Sequence, residues 1–96
     1  MYEISEEDME RYRAAVRRFY DVYKPIAKRY KLAMASHFSV YDNGWIKIYM
    51  GEGTRRKQVV KVEEEDDADC YDRATDALIS WINSRKAHQK QEETHL

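Results

Sequence analysis

The sequence predicts an α+β domain in which three antiparallel strands lie between two helices, in the order α-β-β-β-α. Apolar residues recur at three- and four-residue spacing over residues 9–23 and 71–82, which is the period of an amphipathic helix. The segment between them alternates apolar and polar residues, as strands do, and Asp42-Asn43-Gly44 is a strong hairpin-turn signal. We therefore expect a three-stranded antiparallel sheet with both helices packed on one face.

The first helix is predicted to begin after Ser5, which can cap free backbone N–H groups, with Ile4 and Met9 at the positions of a hydrophobic staple. Its apolar stripe consists of Met9, Tyr12, Val16, Phe19, Tyr20 and Tyr23. This stripe leaves Arg11, Arg13, Arg17 and Arg18 toward water or a partner. Pro25 lacks an amide donor and disfavours helix at the preceding residue, so we expect a kink or break there. A shorter helix is then expected, with Ile26, Ala27, Tyr30 and Met34 as its apolar residues.

Strands are expected from His37 onward, in a register that keeps the apolar residues of the hairpin on one face. A two-residue turn at Asn43-Gly44 would mix the two faces. A three-residue turn that ends with a left-handed glycine places Val40 opposite Ile46, and Phe38 opposite Ile48. We therefore predict the longer turn. The opposite face of the hairpin then carries His37, Tyr41, Trp45, Lys47 and Tyr49.

The third strand is predicted over residues 57–63, with Val60 and Val62 directed to the core. The last helix is expected to begin near Asp66 or Asp67, either of which can cap it. Its apolar stripe consists of Tyr71, Ala74, Leu78, Trp81 and Ile82. Residues 1–96 are expected to form a single compact domain, in which roughly residues 88–96 are a frayed polar tail.

Composition narrows the class of protein. Ninety-six residues suffice for one domain with one core, and no apolar run approaches the roughly 18 residues of a membrane span. The N-terminus lacks the basic start and apolar run of a secretory signal. A single cysteine, Cys70, fits a reducing compartment. We therefore expect a cytoplasmic protein without membrane association, either a monomer or a homodimer.

The sequence carries no motif for catalysis or for a bound group. His37, His88 and His95 show no metal-ligand spacing with one another or with Cys70. Cys70 stands at an acidic helix start, which disfavours the thiolate that a nucleophile requires. No glycine-rich phosphate loop follows a strand, and no serine lies in a nucleophile motif. We expect a protein that is not an enzyme and that uses no cofactor and no metal.

Charge is segregated along the chain although the net charge is only −1. Residues 1–10 carry five acids and no Lys or Arg, residues 11–62 carry thirteen Lys or Arg and three acids, and residues 63–96 carry ten acids and four Lys or Arg. Short connections around a three-stranded meander make the two helices parallel, so both helix starts are expected at one end of the domain. This acidic pole collects Glu3, Glu6, Glu7, Asp8, Glu10, Asp42, Glu63, Glu64, Glu65, Asp66, Asp67 and Asp69. The opposite end, the basic pole, collects Lys28, Arg29, Lys31, Arg55, Arg56, Lys57, Arg85, Lys86 and Lys90.

The acidic pole holds more carboxylates than helix formation requires. One or two acids near each helix start complement the macrodipole, whereas the five consecutive acids of residues 63–67 repel one another. Dense carboxylates can stand in for nucleic-acid phosphates on the basic surface of a protein. The hypothesis is a binding protein whose contacts with a protein partner are made by Glu63, Glu64, Glu65, Asp66, Asp67 and Asp69, with Tyr41, Trp45 and Tyr49 as aromatic anchors.

Two other interpretations of the aromatic face and the basic residues stay open. Aromatic rings beside positive charge are a typical platform for single-stranded bases. In that case nucleic acid would be bound by this face together with Arg13, Arg17, Lys28, Arg55, Arg56 and Lys57. Alternatively, the aromatic face is covered by another part of the chain or by a second copy in a homodimer.

The order α-β-β-β-α, together with Ala74-Thr75-Asp76-Ala77-Leu78, resembles the double-stranded-RNA-binding domains. This resemblance implies a basic start of the last helix that grips phosphates. The chain departs from the family at that point, because residues 63–69 are acidic.

In size, compact architecture, acidic surface and lack of catalytic motifs, the chain is also similar to the small proteins with which bacteriophages and mobile elements block host defence, including anti-CRISPR proteins. This resemblance implies a stoichiometric inhibitor, a DNA mimic that binds a CRISPR effector or another host nuclease.

Overall fold

The computed structural model describes the backbone of residues 5–93 and the side chains of residues 5–87. Its elements are helix α1 (Glu6–Tyr30), strands β1 (Leu32–His37), β2 (Gly44–Met50) and β3 (Lys57–Glu64), a 3-10 turn at Gly53–Arg55, and helix α2 (Asp67–Glu93). The strands form one antiparallel sheet in the order β1-β2-β3. The predicted α+β class and the order α-β-β-β-α are therefore confirmed.

Helix α1 begins where the sequence predicts. The Ser5 hydroxyl accepts a hydrogen bond from the Asp8 backbone N–H at 3.1 Å, which satisfies one of the free donors of the first turn. Ile4, the expected staple residue, lies outside the described residues. The helix ends at Lys31, whose left-handed conformation (φ 56°) turns the chain directly into β1.

Of the kink or break expected at Pro25, the break does not occur, because α1 continues through this residue to Tyr30. Proline removes one backbone hydrogen bond of the helix, the one that the Asp21 carbonyl would accept. Both Asp21 and Pro25 are exposed, so the proline lies on the solvent side of the helix. Met34, which was expected in a second helix, belongs instead to β1.

The hairpin differs from the predicted one in register. Strand β1 starts at Leu32, five residues before the expected start, and Met34 rather than Phe38 lies opposite Ile48. The predicted pair Val40–Ile46 is also wrong, because residues 38–43 form the connection and Val40 is 92% exposed. The shift from Phe38 to Met34 is four residues, an even number, so each residue of β2 still faces the side that the sequence predicts.

Phe38 accounts for the longer connection. Phe38 is the first residue after β1, and its ring stacks on the Tyr71 ring of α2, with centroids 5.3 Å apart. It also covers Gly44, where an added Cβ would lie 2.5 Å from Phe38 Cδ1. Glycine is therefore required at position 44 by this close approach at the start of β2, and not by the left-handed turn that the sequence predicts.

The core lies between the sheet and the helices, and its strand residues are those predicted. Val60 and Val62 of β3 are buried beside Ile46 and Ile48 of β2. From the helices, the core includes Ala15, Phe19, Ala68, Cys70, Tyr71, Ala74 and Leu78. Each of the fully buried Phe, Ile and Leu side chains contributes roughly 1.5–3 kcal/mol to folding.

Helix α2 follows the predicted capping and stripe but is longer than predicted. The Ala68 backbone N–H donates to Asp66 Oδ1 at 3.1 Å, so Asp66 caps the helix. Along the stripe, Tyr71, Ala74, Leu78 and Ile82 are buried and Trp81 is half-buried. The helix continues to Glu93, and residues 94–96 lie outside the described part of the chain.

The two helices run parallel, as predicted. Arg11 near the start of α1 pairs with Asp66 and Asp69 at the start of α2. At the other end, the Tyr30 ring of α1 lies 5.5 Å from the Trp81 ring of α2. Within the described residues, neither helix has the long apolar stretch that a crossing of the bilayer would need.

Replacing Pro25 with alanine is expected to stabilise the protein by about 1–3 kcal/mol, because alanine restores the missing helical hydrogen bond at an exposed position. Urea denaturation followed by circular dichroism measures this difference. The control is Arg17→Ala, an exposed position of the same helix, which should change stability by no more than about 0.5 kcal/mol. A P25A variant that is no more stable than the parent protein would argue against a continuous α1.

Candidate functional site

The acidic pole is assembled from the ends of several elements. Helices α1 and α2 begin there, and the pairs Trp45–Glu63 and Gly44–Glu64 place the start of β2 and the end of β3 at the same edge of the sheet. The described members of the pole are Glu6, Glu7, Asp8, Glu10, Asp42, Glu63, Glu64, Glu65, Asp66, Asp67 and Asp69, all exposed or half-buried. Glu3 lies outside the described residues.

Two arginines pair with part of this pole. Arg11 Nη1 donates to Asp66 Oδ2 at 2.5 Å, and its Nη2 donates to Asp69. Arg73 donates to Glu64. Donation of these hydrogen bonds to the carboxylates raises the pKa of both guanidinium groups above the ordinary value. Three of the six acids predicted to contact a partner, Glu64, Asp66 and Asp69, are thus paired with arginines of the same chain.

The other carboxylates of the pole have no such partner. Within the described side chains, no Lys or Arg nitrogen lies within 4.0 Å of the carboxylate of Glu63 or Glu65, nor of Glu6, Glu7 or Glu10 at the start of α1. All five are exposed. The available negative charge therefore includes the start of α1 as well as Glu63 and Glu65, whereas the partner contacts predicted from the sequence were confined to residues 63–69.

A second set of ion pairs joins the helices beyond the pole. Arg18 Nη2 donates to Asp76 Oδ1 at 2.6 Å, and Nη1 donates to Asp72 Oδ1 at 3.3 Å. Arg11 and Arg18 were expected to face water or a partner, but both bind α2. The sequence signal that could have found them is their seven-residue spacing, which places both on one side of α1.

The Asp67 carboxyl of the pole and the Cys70 thiol in the core beside it both have a raised pKa. Burial and the nearby Asp66 raise the pKa of the Asp67 carboxyl. Burial, with Asp67 and Glu64 nearby, raises the pKa of the Cys70 thiol to about 11. Cys70 is therefore a protonated core residue at neutral pH.

The open face of the sheet carries most of the predicted aromatic group. His37 lies opposite Trp45, with their rings stacked at 5.9 Å. Lys47 Nζ lies 4.5 Å from the centre of the Trp45 ring, and Arg56 Cζ lies 4.6 Å from that of Tyr49. Both helices pack on the other face, so neither helix covers these rings, and Trp45 and Tyr49 are half-buried.

Tyr41 is not part of this face. It lies in the connection between β1 and β2 and is 92% exposed. It borders an open polar cleft at the acidic pole, lined by His37, Tyr41, Asp42, Asn43, Trp45 and Glu63. The cleft therefore joins the aromatic face to the acidic pole.

The basic residues proposed for nucleic acid do not form one surface. Arg56 lies over Tyr49 on the open face, beside the exposed Arg55 and Lys57. Arg13 and Arg17 instead line a shallow groove on α1, in the helix layer. Lys28 is exposed in the last turn of α1.

Among the described residues, no three or more His, Cys, Asp or Glu side chains are arranged to hold a metal ion. The side chains of His88 and His95 lie outside those residues. Comparison of the chain with protein-family models, with curated proteins and with solved structures gives no match.

Cys70 is expected to react with a thiol reagent such as DTNB at pH 8 at least about a hundredfold more slowly in the folded protein than in urea. A pKa of about 11 in place of 9.0 leaves about a hundredfold less thiolate, and burial slows access further. Because Cys70 is the only cysteine, the signal has one source.

The stability that this raised pKa contributes is present below pH 9 and is lost as the pH rises toward 11. Rapid labelling of the folded protein would contradict the burial of Cys70.

Proposed function

We propose that this protein is a non-enzymatic inhibitor that binds a host nucleic-acid-handling protein, such as a CRISPR effector or another defence nuclease, at the surface that otherwise holds DNA or RNA. The acidic pole is the part of the molecule that meets this surface. The mode of action is stoichiometric, since the inhibitor occupies the nucleic-acid groove of its partner and blocks it by charge and shape.

The observation that carries this proposal is the parallel packing of α1 and α2, which brings carboxylates from both helix starts and from β3 to one end of the domain. Helix dipoles account for one or two acids per helix start, each worth roughly 0.3–1 kcal/mol. Glu6, Glu7, Glu10, Glu63 and Glu65 remain as exposed carboxylates without an ion pair in the described residues. Exposed charge of one sign steers association with a surface of the opposite sign.

The cleft at the pole adds an anchoring element to this charge. Trp45 and Tyr41 stand in its lining next to Asp42 and Glu63. Aromatic side chains and arginines are the residues that most often carry the binding energy of an interface. In the proposed complex, a basic side chain of the nuclease enters this cleft, between aromatic rings and carboxylates.

The role of the acidic pole can be tested with two variants of equal net charge. Glu10→Lys with Glu65→Lys reverses two exposed charges of the pole, whereas Asp21→Lys with Glu52→Lys reverses two exposed charges elsewhere. The assay measures DNA binding by a panel of purified, guide-loaded CRISPR effectors as the inhibitor is added. The parent protein and the D21K/E52K variant should block DNA binding by a susceptible effector near a 1:1 ratio. The E10K/E65K variant should require at least about tenfold more protein.

Equal inhibition by both variants would show that the pole is not the contact surface. If the parent protein blocks no effector in the panel, the proposed partner class is wrong. Circular dichroism of each variant establishes that the fold is retained.

A second candidate function is binding of single-stranded nucleic acid by the open face. The observation in its favour is the row of rings formed by His37, Trp45 and Tyr49 with Lys47 and Arg56 beside them. It ranks second because Glu63 lies directly opposite Trp45 on the same face, where its carboxylate repels phosphates.

Under this second function, Trp45→Ala should weaken binding of a short thymidine oligonucleotide by about fivefold to 150-fold, since a stacked base contributes about 1–3 kcal/mol. Fluorescence anisotropy of the labelled oligonucleotide at several salt concentrations provides the measurement. The control, Tyr12→Ala, removes a partly exposed ring from the helix layer and should have no effect on binding. If the parent protein does not bind the oligonucleotide at low salt, this function is excluded.

A further inference from the structure

Strand β3 presents an open edge. It is the last strand in the order β1-β2-β3, and its described residues make no further backbone hydrogen bond on the side away from β2. Alternate N–H and C=O groups of such a strand point outward and can pair with another strand. The edge contains no proline, and the register shift at Val59 leaves residues 60–64 as its regular part.

The charges of β3 are arranged so that the strand complements itself. It begins with Lys57 and ends with Glu64, and on the open face Lys61 is followed by Glu63. An antiparallel copy of this strand can place Lys61 beside Glu63 of the first. Lysine on an edge usually prevents pairing with other strands, but in this arrangement Lys61 meets a carboxylate.

Lys61 also occupies an unfavourable place in the single molecule. It lies directly opposite Lys47 in the sheet, and like charges in this position repel each other. Within the described side chains, no carboxylate lies within 4.0 Å of its ammonium group, and both Lys61 and Glu63 are exposed. A carboxylate placed beside the outer edge of β3 would relieve this repulsion.

We propose that two copies of the chain pair through their β3 strands, antiparallel, to form a continuous six-stranded sheet. Val62 lies opposite Val62 of the second copy, so Lys61 faces Glu63 of the second copy and Glu63 faces its Lys61. The dimer goes beyond the inhibitory function and does not depend on it. Because Glu63 is engaged in the dimer, the carboxylates of the acidic pole that the dimer leaves for a nuclease are Glu6, Glu7, Glu10 and Glu65.

The register follows from side-chain direction and charge. Residues that face each other across two paired strands must lie on the same side of the sheet, which excludes registers shifted by one residue. Pairing Val60 with Val62 would instead place Lys61 opposite Lys61 of the second copy. In the register centred on Val62, a two-fold axis passes between the two Val62 residues. Every contact of such an isologous interface occurs twice, so two Lys61–Glu63 ion pairs form. It also joins the two aromatic faces on one side of the sheet.

Sedimentation equilibrium of the full chain at low salt tests the dimer, with charge reversals as probes. The parent protein should dimerise, and added salt should weaken the association. Lys61→Glu and Glu63→Lys should each raise the dimer dissociation constant by at least about tenfold, because two attractions become repulsions. The variant with both changes exchanges the two charges along the strand, restores both opposite-charge pairs and should recover most of the affinity. Arg13→Glu and Glu52→Lys are the controls for net charge and should have no effect.

A parent protein that stays monomeric at all concentrations would overturn the proposal. So would a dimer that is insensitive to K61E, which would point to pairing through the aromatic face, or a double variant that stays as weak as the single ones. Circular dichroism checks that each variant is folded. The nuclease assay measures inhibition of DNA binding, not self-association, and its variants leave Lys61 and Glu63 unchanged. Either proposal can therefore fail without the other.

Discussion

The packing of α1 along α2 is the constraint on which the rest of this molecule depends. Phe19 of α1 is fully buried and its ring contacts the Tyr71 ring of α2, with centroids 5.5 Å apart. Arg11 and Arg18 then hold the helices parallel by pairs with carboxylates of α2. Exposed ion pairs contribute little energy each, so the apolar contact supplies most of the stability and the arginines favour one orientation. This orientation determines which charged residues become neighbours.

Charge on this protein consequently has two roles that sequence position alone does not separate. Some acids complete the fold, as Asp66 does by capping α2 and binding Arg11. Others, such as Glu10 and Glu65, lie exposed without a described ion pair. A long acidic run therefore overstates the charge available to a partner when basic residues from another element reach it. Conversely, exposed carboxylates of α1 such as Glu10 are available to a partner, although acids at a helix start are usually attributed to helix capping.

Local sequence signals predicted most helix starts and apolar faces. The features that they did not predict, such as the hairpin register, depend on contacts between residues distant in sequence. The Ser5 cap, the Asp66 cap, the valines of β3 and the stripe of α2 were all predictable, because each depends on residues a few positions apart. The hairpin register was not, since it depends on Phe38 packing against Tyr71, which is distant in sequence. The helix through Pro25 shows that tertiary packing of an apolar stripe can outweigh the loss of one hydrogen bond. Of the candidate site, the acidic pole was predictable from the chain order, whereas its pairing with Arg11 and Arg73 was not.

The length of α2 separates the two ends of the molecule. Its 27 residues correspond to about 40 Å, whereas the eight residues of β3 correspond to about 26 Å. The helix therefore runs well past the sheet on the side away from its acidic start. A fluorophore or an affinity handle attached near Glu93 would stand far from the carboxylates at the other end. Single-molecule and surface-capture experiments could thus immobilise the protein by this helix while its opposite end stays accessible.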